Sequence, residues 1–306
     1  MGKPVTNTSP RHVEKQTGKD WVFDDALQKA PSRSYRIFRN HSAVLLEITR
    51  PENRNALTAL LVEELRELYQ RIAQDPTIFR IYLTGQGHIF CAGMNLSTSG
   101  SATAGDAETH RRQLKNFCGL LQSIASSPQV TIALINGPCY GGGNGLAFAN
   151  DIRLCTRDAT FNLSEVRLGL SPCAISPYLA REWGVPLLRR ASLTGRPVTP
   201  GQLFATGAIE TIVDNTNDLY GQALESLELT LQSCAPHAST ACKELVHAAW
   251  VSPGGSFQDQ VVERRYLEMM APSPEAEYGI QQFRLGVKKI DWVVMGKTGK
   301  KAASHL

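Results

Sequence analysis

The strongest pattern near the start of the chain is a nearly unbroken apolar run, Ala43-Val44-Leu45-Leu46-Glu47-Ile48, which predicts a strand covered on both faces. Runs of the same kind recur at Ile81-Tyr82-Leu83, at 130–135 and at Ile152-Arg153-Leu154-Cys155. Helix-length segments separate them. Leu57, Leu60, Leu61, Leu65, Leu68 and Ile72 recur at three- and four-residue spacings and predict a helix with Asn55 as its cap, and 108–126 predicts another. Strands alternating with helices imply βαβ units and a largely parallel sheet, an α/β fold. After about residue 175 the strand signal fades, and 178–193, 200–206, 217–234, 239–249, 256–270 and 274–286 read as helices. Before Tyr35 no periodicity is visible, only Pro4, Pro10, Pro31 and scattered charge. The expected organisation is a disordered or loosely docked extension over 1–34, an α/β core over 35–230, a helical C-terminal region over 231–294 and a basic tail over 295–306.

Composition narrows the classes. The 306 residues are 42% hydrophobic and 20% charged, enough for a sizeable core. No apolar run reaches the roughly 18 residues that cross a bilayer, so no membrane is expected as a partner. Seven cysteines, an odd number without a CxxC pair, exclude a disulfide framework or structural zinc site from the expectation and favour a reducing compartment. The formal net charge of +4 resides in the first 40 residues, which carry eight Lys/Arg against four Asp/Glu. The rest balances to zero, so nucleic acid is not an expected partner. A second basic cluster, Arg284, Lys288, Lys289, Lys297, Lys300 and Lys301, is opposed only by Asp291.

Two glycine-containing loops follow predicted strands. One runs from Thr84-Gly85-Gln86-Gly87 to Phe90-Cys91-Ala92-Gly93-Met94, the other through Asn136-Gly137-Pro138-Cys139-Tyr140-Gly141-Gly142-Gly143-Asn144-Gly145. Consecutive glycines opening a helix admit a ligand close to the backbone and offer free N–H groups to an oxyanion. Neither GxxxxGK[ST] nor a dinucleotide fingerprint fits either loop. Cys91 and Cys139 read as packed thiols, and His88, His237 and His247 lack metal-ligand spacing. Asn95, Asn144 and Ser164 read either as groups that orient water or substrate or as local backbone partners.

Seven motifs in order carry a resemblance: Arg50-Pro51-Glu52-Asn53-Arg54-Asn55-Ala56-Leu57, Phe90-Cys91-Ala92-Gly93, Asn136-Gly137 with the glycine triplet, Asp151-Ile152-Arg153, Phe161 with Glu165-Val166-Arg167-Leu168-Gly169-Leu170, Leu193-Thr194-Gly195-Arg196, and the segment from Glu275-Ala276 to Trp292. Together they resemble the crotonase superfamily, the enoyl-CoA hydratases and isomerases, with a leaning toward branched-chain hydratases of the methylglutaconyl or mevalonyl type. The resemblance implies a right-handed spiral of ββα turns with a helical C-terminal trimerisation region. It implies an acyl-CoA substrate, no metal, and no cofactor beyond the coenzyme A that is part of the substrate. The N–H groups of Met94 and Gly142 would hold the thioester oxygen, and Glu165 matches the family's second catalytic glutamate. Ala92, Gly93, Gly141, Gly145, Ser164, Phe283 and Lys288 are the further expected substrate contacts.

One position departs from the family. Its first glutamate would fall at Gly145, so a mechanism with two carboxylates does not operate unchanged. Hydration of a short or branched 2-enoyl-CoA, in catabolism or in siderophore or toxin synthesis, is the leading expectation, with Gly145 expected to open room for a branch at Cβ. Δ3/Δ2 isomerisation is the enzymatic alternative, and a non-catalytic CoA-ester or RNA binder is the alternative of another class. Apolar residues between 256 and 292 lead to the expectation of a homotrimer or dimer of trimers. The terminal Ser304-His305-Leu306 resembles a peroxisomal address, implying an import receptor as a partner and the peroxisome as location.

Overall fold

The computed structural model describes residues 21–28, 34–95 and 106–292. In chain order the elements are β1 (Val22–Phe23), β2 (Tyr35–Asn40), β3 (Ala43–Ile48), α1 (Ala59–Ile72), β4 (Arg80–Gly85), α2 (Ala107–Ala125), β5 (Val130–Ile135), β6 (Cys139–Tyr140), α3 (Gly142–Phe148), β7 (Ile152–Thr156) and β8 (Phe161–Asn162). Then follow α4 (Ser176–Trp183), α5 (Val185–Thr194), α6 (Pro200–Ala205), β9 (Thr211–Val213), α7 (Leu224–Gln232), α8 (Pro236–Val251), α9 (Ser256–Met270) and α10 (Pro274–Arg284).

Seven strands form one sheet in the order β1-β2-β3-β4-β5-β7-β9. The first two pairings are antiparallel and the rest parallel. Both faces are covered, as the unbroken apolar runs require. Val44, Leu46, Ile48, Ile81, Leu83, Ala133 and Ile135 face the larger core with α1 and α2. Their neighbours Leu45, Tyr82, Ile132 and Leu134 face a second core with Tyr220 and Leu224. After its strand, each turn of chain adds a short piece to a second parallel stack, through Leu57↔Met94, Cys91↔Cys139 and the β6–β8 pair. This is the ββα spiral, and α8, α9 and α10 form the helical C-terminal region.

The structure departs from the sequence expectations at several points. Helix α1 is capped by Thr58, whose hydroxyl accepts from Leu61 N at 3.2 Å, a contact worth about 1 kcal/mol. Leu60 is 64% exposed and lies off the buried stripe. Within the extension expected to be disordered or loosely docked, Trp21–Phe23 meet the sheet: β1 pairs with β2, and buried Trp21 packs edge-on against Tyr82 at 5.9 Å. A late strand, β9, was hidden because three residues carry too little periodicity to register. Gly184 at φ 76° splits the predicted 178–193 helix into α4 and α5. Residues 1–20 and 29–33, and the 295–306 tail with Ser304-His305-Leu306, lie outside the described residues.

Candidate active site

The site is assembled where the loops after β4, β5 and β8 meet. Two buried asparagines hold the first loop. Asn55, at φ 55°, donates from Nδ2 to Gln86 O at 2.9 Å and Ile89 O at 2.7 Å, and accepts from Arg50 N at 3.0 Å. From the other side Asn136 Nδ2 donates to Gly87 O at 2.8 Å, and its Oδ1 accepts from Gly85 N at 3.2 Å. Asn55 is therefore a loop clamp, not a helix cap. No local sequence pattern separates that role from a helix cap.

The clamped loop delivers Ala92, Gly93 and Met94 to the glycine turn. Ala92 N donates to Arg54 O, and Met94 bridges Leu57. Gly93 has φ 82°, and a Cβ there would lie 2.6 Å from Tyr140 O and 3.0 Å from Gly142 N, so only glycine allows this approach. A Cβ on Gly142 would stand 3.6 Å from Met94 N and 3.2 Å from Phe117 Cζ. The two backbone amides thus border one recess, and Gly142, as the first residue of α3, has no intrahelical acceptor for its N–H.

Glu165 enters from the third loop, on a 3₁₀ turn over Ser164–Leu168 that closes at Gly169 with φ 72°. Its Oε1 lies 3.1 Å from where a Cβ of Gly141 would be. Its Oε2 is buried without a hydrogen-bond partner among the described residues, and burial raises its pKa above the ordinary glutamate value. A carboxyl group with a raised pKa beside two backbone donors can exchange a proton with a bound molecule. Asn144 ties this loop to α3: its Nδ2 donates to Asn162 O at 3.0 Å and to Gly141 O at 3.3 Å. Asn144 is thus a backbone partner, while Ser164 flanks Glu165 on the same turn.

Gly145 corrects the expectation of extra room. A Cβ there would overlap Ile175 Cγ2 and lie 3.3 Å from Leu121 Cδ1, so the corner is filled by hydrocarbon. Phe283, 79% exposed on α10, and exposed Lys288 belong to the C-terminal helical region rather than to the meeting of the three loops. The thiols are packed: burial pushes Cys91 up to about 12 and holds Cys139 well above the ordinary thiol value. Among the described residues no group of three or more His, Cys, Asp or Glu is placed to hold a metal, and no helix is long and apolar enough to cross a membrane.

A seven-strand sheet that feeds three loops onto two backbone amides and the half-buried Glu165 carboxyl has the architecture of the crotonase class. The chain belongs to the enoyl-CoA hydratase/isomerase family, which it matches over residues 39–288. It is 38% identical over 258 residues to an Alternaria alternata protein named enoyl-CoA hydratase AKT6-1, covering 84% of each chain. A more distant relative, mevalonyl-coenzyme A hydratase sidH of Aspergillus fumigatus, is 28% identical over 230 residues, 74% of this chain and 83% of its own. Among solved structures, Pseudomonas aeruginosa AtuE superposes with a TM-score of 0.78 at 28% identity, covering 84% of this chain and 98% of its own.

Proposed function

We propose that the site adds water across the double bond of a 2-enoyl-CoA and runs the reverse dehydration of a 3-hydroxyacyl-CoA. The observation that carries this reading is the Glu165 carboxyl set against the glycine turn that bears the Gly142 amide, with Met94 N on the facing loop. The thioester oxygen accepts from Met94 N–H and Gly142 N–H, which draws charge from Cβ and stabilises the enolate; loss of one such donor costs about 2.7–4 kcal/mol. Glu165 takes one proton from water as the water oxygen bonds to Cβ, then returns that proton to Cα. One carboxylate serves both atoms from one side, so hydroxyl and hydrogen add syn. Gly93, Gly141 and Ala92 keep side chains out of the acyl path, and Ser164 flanks the acid.

The single carboxylate also favours a second reading, Δ3/Δ2 isomerisation, in which Glu165 moves a proton between Cα and Cγ and no water is split. Incubation of 2-enoyl- and 3-enoyl-CoA in ¹⁸O-labelled water separates the two. Hydration is expected to give labelled 3-hydroxyacyl-CoA, and an unlabelled 2-enoyl product from the 3-enoyl substrate alone would replace it with isomerisation.

A short acyl chain with a methyl branch at Cβ remains the proposed substrate class, supported by the name of the mevalonyl-coenzyme A hydratase relative and not by space at Gly145, which Ile175 and Leu121 fill. The proposed setting is acyl-CoA catabolism or a secondary-metabolite route. Assembly as a homotrimer or dimer of trimers is proposed from exposed Tyr266, Leu267, Met269, Met270, Ile280 and Phe283 on α9 and α10. It would bring Phe283 and Lys288 to a coenzyme A moiety, and a monomer alone in sedimentation at micromolar concentration would reject it. Peroxisomal delivery is proposed for the terminal tripeptide, and a reporter ending in residues 295–306 that stays diffuse in the cytosol would end that reading.

A further inference from the structure

The peptide unit between Gly141 and Gly142, at the head of α3, carries the Gly142 N–H that borders the recess and, in the same plane, the Gly141 carbonyl. In a trans peptide these two groups point in opposite directions, so whatever fixes the carbonyl aims the N–H. Glycine on both sides, with Gly141 at φ 43° and ψ −119°, lets this plane turn over at little steric cost. The restraint comes from Asn144. Fully buried, it donates from Nδ2 to Gly141 O at 3.3 Å, beside its own backbone N–H, which reaches the same oxygen at 2.9 Å. Nδ2 also donates to Asn162 O at 3.0 Å, an oxygen that accepts from Gly141 N at 3.0 Å as well. Both side-chain partners are carbonyl oxygens, so the nitrogen of the amide must be the atom that faces them. Asn162 ends β8, just before the turn that bears Glu165. One amide group therefore grips both the peptide that offers the donor and the strand end that leads to the acid.

We propose that Asn144 is a positioning residue for the thioester site: by holding the Gly141 carbonyl through Nδ2, it keeps the Gly142 N–H aimed at the thioester oxygen. The inference rests on the acyl-CoA reading of the site given above. Without Nδ2 each carbonyl keeps one backbone donor, Asn144 N on Gly141 O and Gly141 N on Asn162 O. The fold therefore survives the loss while the peptide plane gains freedom. An oxyanion donor works by being preorganised, and removing one lowers kcat by about 10²–10³-fold, so partial misalignment is expected to cost about 10–10²-fold.

The test compares Asn144→Ala and Asn144→Leu, which lack the donor, with Asn144→Ser, whose hydroxyl can donate back to the carbonyl three residues earlier. Leucine keeps the bulk, should the cavity left by alanine unfold the protein. Difference infrared spectra of butanoyl-CoA labelled with ¹³C at the thioester carbon read the carbonyl stretch on each folded protein without turnover. Hydration of whichever of but-2-enoyl-CoA and 3-methylbut-2-enoyl-CoA the wild type turns over faster gives kcat and KM. On binding to the wild type the band is expected to move to lower frequency. The Ala and Leu variants should lose at least about half of that displacement and about 10–10²-fold in kcat, with KM changed less than about threefold. Serine should recover most of both. A band equally displaced in all four proteins, or kcat of the Ala and Leu variants within about threefold of wild type, overturns the role given to Asn144 and leaves the oxyanion reading intact. A displacement that depends on Asn144 without any hydration would instead remove the hydratase reading and leave this role standing. A wild-type band that does not move on binding overturns both.

Discussion

Replacement of Glu165 by glutamine is expected to lower kcat by about 10²–10⁴-fold while thioester affinity changes little, because the amide keeps the shape and loses the proton transfer. The pH profile follows from the same group. Burial raises the Glu165 pKa, so the carboxylate needed as base disappears, as pH falls, at a higher pH than for an ordinary glutamate. The acid limb of kcat/KM should therefore lie at higher pH than an ordinary glutamate would set and vanish from any residual activity of the glutamine variant. The sign for stability is opposite to that of a salt-bridged acid. A raised native pKa means that the fold binds this proton more tightly than the unfolded chain, so the contribution is present at low pH and is lost as pH rises through the native value. Glu165→Gln should therefore cost no stability at neutral pH. Turnover equal to wild type would remove Glu165 from the mechanism.

The largest expected effect on stability lies away from the site, at Glu228. This residue on α7 accepts from Arg80 Nη2 at 2.7 Å, from Arg80 Nε at 2.9 and 3.0 Å, and from the Tyr82 hydroxyl at 2.5 Å, all buried. The pair joins α7 to the start of β4, whose far end feeds the Cys91–Met94 loop. Glu228→Ala leaves the Arg80 guanidinium buried with only the Ser42 hydroxyl for a partner, a loss of about 3–5 kcal/mol. A double variant, Arg80→Met with Glu228→Leu, removes both charges and should lose much less. Urea unfolding of the three proteins measures this. A Glu228→Ala midpoint equal to wild type would show that the pair contributes nothing. Because neither residue belongs to the site, folded Glu228→Ala protein below its transition should retain the wild-type KM.

Much of the fold was legible because its central strands are buried on both faces. That condition leaves no polar alternation and turns β3, β4, β5 and β7 into recognisable apolar runs. The helical C-terminal half was legible through its three- and four-residue spacings, and α9 spans the predicted 256–270. Illegible elements were those made by pairing rather than by pattern. Strands β1 and β9 have two and three residues, and each exists because a sheet edge was free to receive it. Asn55 shows the same limit at the level of one side chain. Beside Leu57 and the α1 spacing it read as a cap, but its amide is satisfied by carbonyls of the loop after β4, far along the chain.

The site divides along the same line. Sequence alone determined which backbone turns bear glycine, that a single glutamate follows Phe161 at the right remove, and that the expected first carboxylate is missing at Gly145. These are properties of residue types in order, and local order survives folding. Only the tertiary structure decided what stands in the place of the missing carboxylate. Glycine at 145 reads in sequence as open space, yet Ile175 and Leu121, brought in by α4 and α2, fill it with hydrocarbon. A glycine states that its own side chain is absent. What neighbouring side chains do with that volume depends on close packing between elements distant in sequence, where unfilled space costs dispersion contacts and is rarely left empty.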